Sequence, residues 1–164
     1  MVWLRELRHN PGLLPKLLVL IYRCGYFIYF KVHIPVVRQL LYLIYRLVDL
    51  LFVKLLLNCD LPGSAKIGPG LTIYHPYGIL INDSSVIGRN FIVRAQVTIG
   101  NKGTSGEVCP QIGDNVEVGT GAKIIGGIQI GANTVIGTNA VVTKSFRDHS
   151  ILVGVPAHDI ATHE

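Results

Sequence analysis

The chain has 164 residues, 49% of them hydrophobic and only 15% charged, with a formal net charge of +5 and a mean hydropathy of +0.45. That length suits one or two small domains, and the charged share sits well below the roughly 25% of an average globular protein. The balance points to a membrane or a large buried interface, and Cys24, Cys59 and Cys109, far apart and without CxxC spacing, exclude a disulfide framework and indicate a reduced compartment.

The charge is uneven. The first 60 residues hold eight Lys and Arg against three Asp and Glu, whereas the remainder holds seven of each, so the whole surplus of five sits in the N-terminal third. There the cations alternate with aliphatic and aromatic runs. That favours anionic lipid over nucleic acid, for which polar spacing and a recognition motif are absent. The opening "MVWLRELRHNPGLLPK" lacks the small-residue cleavage site of a secretory signal. The expected location is the cytoplasm, peripheral on the inner face of the cell membrane.

Residues 1–58 are predicted to be helical. "LLPKLLVLIYRCGYFIYFK" and "VVRQLLYLIYRLVDLLFVKLLL" have helical length and are separated by Pro35. Lys16, Arg23, Lys31, Arg38, Arg46, Asp49 and Lys54 interrupt them too often for a simple span of about 20 apolar residues. Lys16 and Arg23 fall close together on one helical face, and Arg38, Arg46 and Asp49 share one arc. A wide apolar face with a narrow cationic stripe describes a helix lying in the membrane interface. The alternative is an oligomerisation segment that buries its apolar face against copies of itself.

Residues 59–164 follow a different period. Aliphatic residues recur every six positions at Ile112, Val118, Ile124, Ile130, Ile136 and Val142, four of them followed by glycine. The same period appears at Ile67 and Ile73, and again at Ile81, Ile87, Val93 and Ile99. A six-residue period predicts a parallel β-helix built from hexapeptides, three to a triangular coil, with the aliphatic pointing inward and the following glycine easing the corner. The spacing leaves the hand of the coil open.

Two departures break the period. One adds two residues between Ile73 and Ile81, at His75-Pro76, and the other is "GNKGTSGEVCPQ" between Ile99 and Ile112. Residues that interrupt a stacked core loop outward, where repeat proteins commonly carry their binding face. An imidazole at such a corner titrates near neutrality and suits general-base work. His9, His33, His149, His158 and His163 lie in the helical region or near the C-terminus and are read as surface residues. No metal constellation is visible.

"AKIGPGLTIYHPYGILIND", the stretch from "VTIGNKG" to "TNAVV" and the "VGVPA" of residues 153–157 resemble the hexapeptide-repeat acyltransferases. The resemblance is to the serine acetyltransferase branch, and within it to the O-acetyltransferases of exopolysaccharide clusters of the colanic acid type. It implies a left-handed β-helix, a homotrimer and acetyl-CoA as donor. It also implies His75 as general base and Asp60 as the carboxylate that orients it. The tetrahedral oxyanion needs donors, and glycine-rich backbone such as Gly100-Asn101 can supply N–H groups. Gly100, Asn101, Thr120 and Thr138 match positions that line the CoA groove; Lys144 or Lys123 is expected either to meet phosphates or to be a solvated surface charge.

Serine acetyltransferases have aspartate before the base, where this chain has Tyr74. They have an Arg-His pair in the interrupting loop, where this chain has Val108 and Cys109 and no cation beyond Lys102. A serine carboxylate would lack its partner. The expected acceptor is therefore the hydroxyl of a sugar or lipid-linked saccharide. Serine O-acetylation and a non-catalytic β-helix scaffold are the alternatives. Cys109 is expected to be a loop residue and not a nucleophile.

Overall fold

The computed structural model describes residues 2–103 and 108–162. Helix α1 (Val2–His9) leads through Pro11-Gly12 into α2 (Leu13–Lys31), and Pro35 opens α3 (Pro35–Val48) at its first turn. α3 runs without a break into a π-helical stretch, Asp49–Leu56.

From Lys66 the chain coils over three faces. The first face stacks β1 (Lys66–Ile67), β4 (Val86–Ile87), β7 (Gln111–Ile112) and β10 (Gln129–Ile130). The second stacks β2 (Thr72–Ile73), β5 (Ile92–Val93), β8 (Glu117–Val118), β11 (Val135–Ile136) and β13 (Ile151–Val153), and ends in antiparallel β14 (His158–Asp159). The third stacks β3 (Leu80–Ile81), β6 (Thr98–Gly100), β9 (Lys123–Ile125) and β12 (Val141–Val142). Every other pairing in these sheets is parallel. The architecture is a left-handed parallel β-helix, as the hexapeptide period and the resemblance led one to expect.

The period-six aliphatics form the columns of its core. Ile67, Ile87, Ile112 and Ile130 stack in register on the first face. Ile73, Val93, Val118, Ile136 and Leu152 stack on the second, and Ile81, Ile99, Ile124 and Val142 on the third. All are buried. A second inward position lies two residues before each and is filled by residues as different as Ala122, Val116 and Phe91.

The glycines that follow the aliphatics have a different reason from corner conformation. Gly113, Gly119, Gly131 and Gly137 have ordinary negative φ. A Cβ on Gly119 would lie 2.6 Å from the Thr138 backbone nitrogen, so the next coil's main chain passes where a side chain would stand. The left-handed corner conformations fall instead mainly on polar residues, including Asn90, Asn115, Asn133 and Asn139, which tolerate them. Asn90 and Asn115 donate amide hydrogen bonds to Asn115 and Asn133, forming a ladder down one edge. His149, also left-handed, stands next in that column with its ring 3.4 Å from the Asn133 amide.

The open edge of the first coil is closed by side chains of the helices. Arg23 donates to the Ile67 and Gly68 carbonyls at 2.8 and 2.6 Å, and to both oxygens of Glu6. Glu6 accepts from the Gly70 and Leu71 N–H groups. Asn10 donates to the Leu71 carbonyl and accepts from the Ile73 N–H, while the Tyr22 hydroxyl donates to Ala65 and accepts from Ile67. Burial of Tyr22 pushes its phenol up to about 12, against the opposing pull of Arg23. An exposed strand edge is a template for unwanted pairing, and these side chains occupy it here. Arg23 is therefore not part of an exposed stripe with Lys16. It is buried, because the first coil offers it carbonyls and a carboxylate that the linear sequence does not display.

α2 is long and apolar enough to cross a membrane, yet Leu18, Val19, Ile21 and Tyr22 pack it into the same core as the β-coils. A Cβ on Gly25 of α2 would run into the Tyr45 ring, and one on Gly63 into the Gly25 backbone, so helix and coil approach closely there. Tyr45 of α3 accepts from the Gly63 N–H at 3.1 Å, which pins α3 beside the first coil.

Candidate active site

The two extra residues before Ile81 form an outward corner between β2 and β3, and His75 sits on it in the left-handed conformation, φ 55°. The corner is held on every side by backbone. Tyr74 N–H donates to Val93, Tyr77 N–H to His75, Gln96 N–H to Tyr77 and Gly78 N–H to Leu57. Beneath it Pro76 is buried, with the Cys59 sulfur 3.4 Å from the Pro76 and Leu57 carbonyls and 3.3 Å from the Ile79 nitrogen. Burial pushes the Cys59 thiol up. The main chain of His75 is thus fixed while its side chain is exposed.

Asp60 lies in the coil edge directly beside this corner. Its N–H donates to Ile79, its carbonyl accepts from Ile81, and it bridges in parallel to Leu80. The carboxylate is half-exposed and meets Lys54 Nζ at 3.2 Å. Among the described residues no hydrogen bond joins it to the His75 imidazole.

Against Tyr74, the residue before His75, the structure reveals a cation that the sequence reading passed over. Arg94 follows β5 as Tyr74 follows β2, one coil apart in the same outward column. Its guanidinium lies 5.2 Å from the centroid of the Tyr74 ring and donates to Glu117 at 2.6 Å. The register Ile73 to Val93 held the signal, since each residue stands one place after a stacked aliphatic.

The remaining candidates divide between two edges of the third face. Thr120 and Thr138 follow β8 and β11, so they share the His75 edge. Gly100 closes β6, Asn101 follows it, and Lys144 follows β12, so these three lie on the opposite edge. Gly100 accepts from Gly126 N–H, the Asn101 side chain accepts from Gly103 N–H, and Lys144 stands 5.4 Å from the Phe146 ring. Lys123 donates to the Gln96 carbonyl at 2.5 Å. Cys109 is buried and its thiol is pushed up by burial, which disfavours the reactive thiolate. Residues 104–107 of the interrupting loop, with His163, lie outside the described residues. A cavity of about 520 Å³ sits at a different corner, lined by Glu6, His9, Gly70, Thr72, Arg89 and Asn90.

Short parallel strands on three faces, aliphatic columns at a period of six and a histidine on an outward corner define a hexapeptide-repeat protein of the transferase type. The profile of the bacterial transferase hexapeptide (six repeats) matches residues 109–144. The "Putative colanic acid biosynthesis acetyltransferase WcaB" of Escherichia coli (strain K12) is 35% identical over 159 residues, covering 94% of this chain and 96% of its own. The chain belongs to the hexapeptide-repeat transferase family. A serine acetyltransferase of Staphylococcus aureus (strain Mu50 / ATCC 700699) is 44% identical over 98 residues, or 59% of this chain. That match spans about half of the relative's own length, 46%. The structure of the soybean serine acetyltransferase apoenzyme superposes with a TM-score of 0.79 at 26% identity, covering 97% of this chain and 66% of the other.

Proposed function

We propose that this protein is an acetyl-CoA-dependent O-acetyltransferase that acts on a saccharide hydroxyl as a homotrimer. His75 removes the hydroxyl proton as the oxygen attacks the thioester carbon. The new C–O bond forms, the C–S bond breaks, and the proton passes from the imidazole to the departing thiolate. Gly100 and Asn101 supply N–H donors to the developing oxyanion. Asp60, once turned from Lys54, orients the imidazole and stabilises its charged form. Thr120 and Thr138 line the path of the donor, and Lys144 meets its phosphates.

The separation of these residues onto two edges supports a site shared between subunits, the His75 edge of one facing the Gly100 edge of its neighbour. The observation that carries the acceptor assignment is the pair of Tyr74 and Arg94 beside the base. A flat aromatic ring next to a fixed guanidinium suits the apolar face and hydroxyls of a pyranose. The likeness to serine acetyltransferases favours a second reading, serine O-acetylation.

Thiol release from acetyl-CoA tests both. The intact protein is supplied with L-serine in one arm and with a saccharide extract in the other, and His75→Gln is run beside it. Turnover with the extract alone, lost in the variant, is the expected result. Turnover with serine overturns the acceptor assignment. Turnover unchanged in His75→Gln overturns the role of His75. Binding of acetyl-CoA without turnover in any arm favours a scaffold.

A further inference from the structure

The helical segment is amphipathic in an inverted sense. α3 turns Tyr42, Tyr45 and the start of the π-helical stretch, Asp49, toward the body of the protein. Its opposite arc presents Val36, Leu40, Leu43, Ile44 and Leu47 to solvent, with Leu43 68% exposed. Leu51 and Leu55 prolong the apolar surface along the π-helical stretch, where Leu55 is 69% exposed. A contiguous aliphatic stripe of this kind is a docking surface and not ordinary scatter.

The exposed charges among the segment's described residues have one sign. Both of its anions, Glu6 and Asp49, are buried. Among the described residues its exposed charged side chains are Arg8, Lys31, Arg38, Arg46 and Lys54, the last paired with Asp60. Two copies docked through this face would set cations against cations, whereas a surface of anionic headgroups complements them. Tyr29 and Phe52 are exposed on the same segment, as aromatic residues at a water–lipid boundary are.

The stripe also runs directly to the candidate base. The π-helical stretch ends at Leu56, the next carbonyl receives the Gly78 N–H of the His75 corner, and Lys54 holds Asp60. We infer that the outward face of α3 and the π-helical stretch seats the protein on an anionic lipid bilayer and sets the His75 corner at the headgroup layer. Resting on the O-acetyltransferase reading, this makes the acceptor a saccharide carried on a lipid.

The test is co-sedimentation of the full chain with vesicles of phosphatidylcholine alone or mixed with phosphatidylglycerol. Transfer to a water-soluble saccharide is measured in parallel. The native protein is expected to pellet with the mixed vesicles and to be released by high salt. Arg38→Gln/Arg46→Gln weakens binding roughly 30-fold, the factor for two surface cations. Leu43→Gln/Leu47→Gln, at exposed positions, abolishes binding while transfer to the soluble saccharide persists. Failure of the native protein to pellet with mixed vesicles overturns the inference. A drop in native mass in Leu43→Gln/Leu47→Gln also overturns it and assigns the face to a second copy. Vesicle binding without transfer to any saccharide overturns the enzymatic reading and leaves the membrane seat standing.

Discussion

Replacing Arg23 by methionine removes a cation that makes four hydrogen bonds inside the protein, at 2.6 to 2.9 Å. The side chains of Arg23 and Glu6 are 5% and 1% exposed, so water cannot take over. The substitution leaves Glu6 buried with only the Gly70 and Leu71 N–H groups, and orphans the Ile67 and Gly68 carbonyls. Breaking a buried pair on one side costs about 3–5 kcal/mol, a large part of the 5–15 kcal/mol that holds a typical domain folded. Removing Glu6 as well, in Glu6→Gln/Arg23→Met, abolishes the stranded charge. The double variant is therefore expected to lose less than the sum of the two single variants, by about 1.5–3 kcal/mol. Urea unfolding followed by circular dichroism, at one fixed protein concentration so that assembly is constant, reads all four proteins. A loss below about 1 kcal/mol in Arg23→Met, or strict additivity in the double variant, would refute the view that these side chains close the coil edge.

Gly119→Ala forces a Cβ to within 2.6 Å of the Thr138 nitrogen, and thermal melting should show a loss of about 1–3 kcal/mol. Burial lifts the Asp49 carboxyl above its usual range, so the folded state holds that proton more tightly than the unfolded one. Stability from this group is greatest below the ordinary carboxylate range and declines as pH rises through the raised value. Asp49→Asn should flatten that decline and gain about 1 kcal/mol at neutral pH, read by urea unfolding at two pH values. Of the three cysteines only Cys24 is exposed, so a thiol reagent should modify one quickly in the native protein and all three after denaturation.

The β-helix was legible because its determinant is local. An inward aliphatic every six residues writes the coil into the sequence, and each such residue is found in a stacked column. The left-handed fold and the outward corner at His75 followed from the same period and the family likeness. Arg23 was misread because its partners stand 17 to 45 residues away, and nothing near it in the chain announces them. Arg94 was overlooked for a different reason. Its neighbour Tyr74 is one coil distant, and the period that would have aligned them was applied to the core columns alone. The glycines were assigned by corner conformation, whereas the deciding contact comes from the following coil. The pairing of Asp60 with Lys54 depends on how the π-helical stretch ends, which no spacing rule reports.

A coil of identical faces has no intrinsic length. Each turn offers the same unsatisfied backbone to the next, so the bare repeat would accept further turns or other molecules end to end. Glu6, Asn10, Tyr22 and Arg23 terminate one end of this column, and the reversed strand at Asp159 terminates the other. The first helices thus decide where counting begins. A fragment lacking them would be a protein with an adhesive end, prone to grow into filaments, and one service of the segment to the fold is to keep the molecule finite.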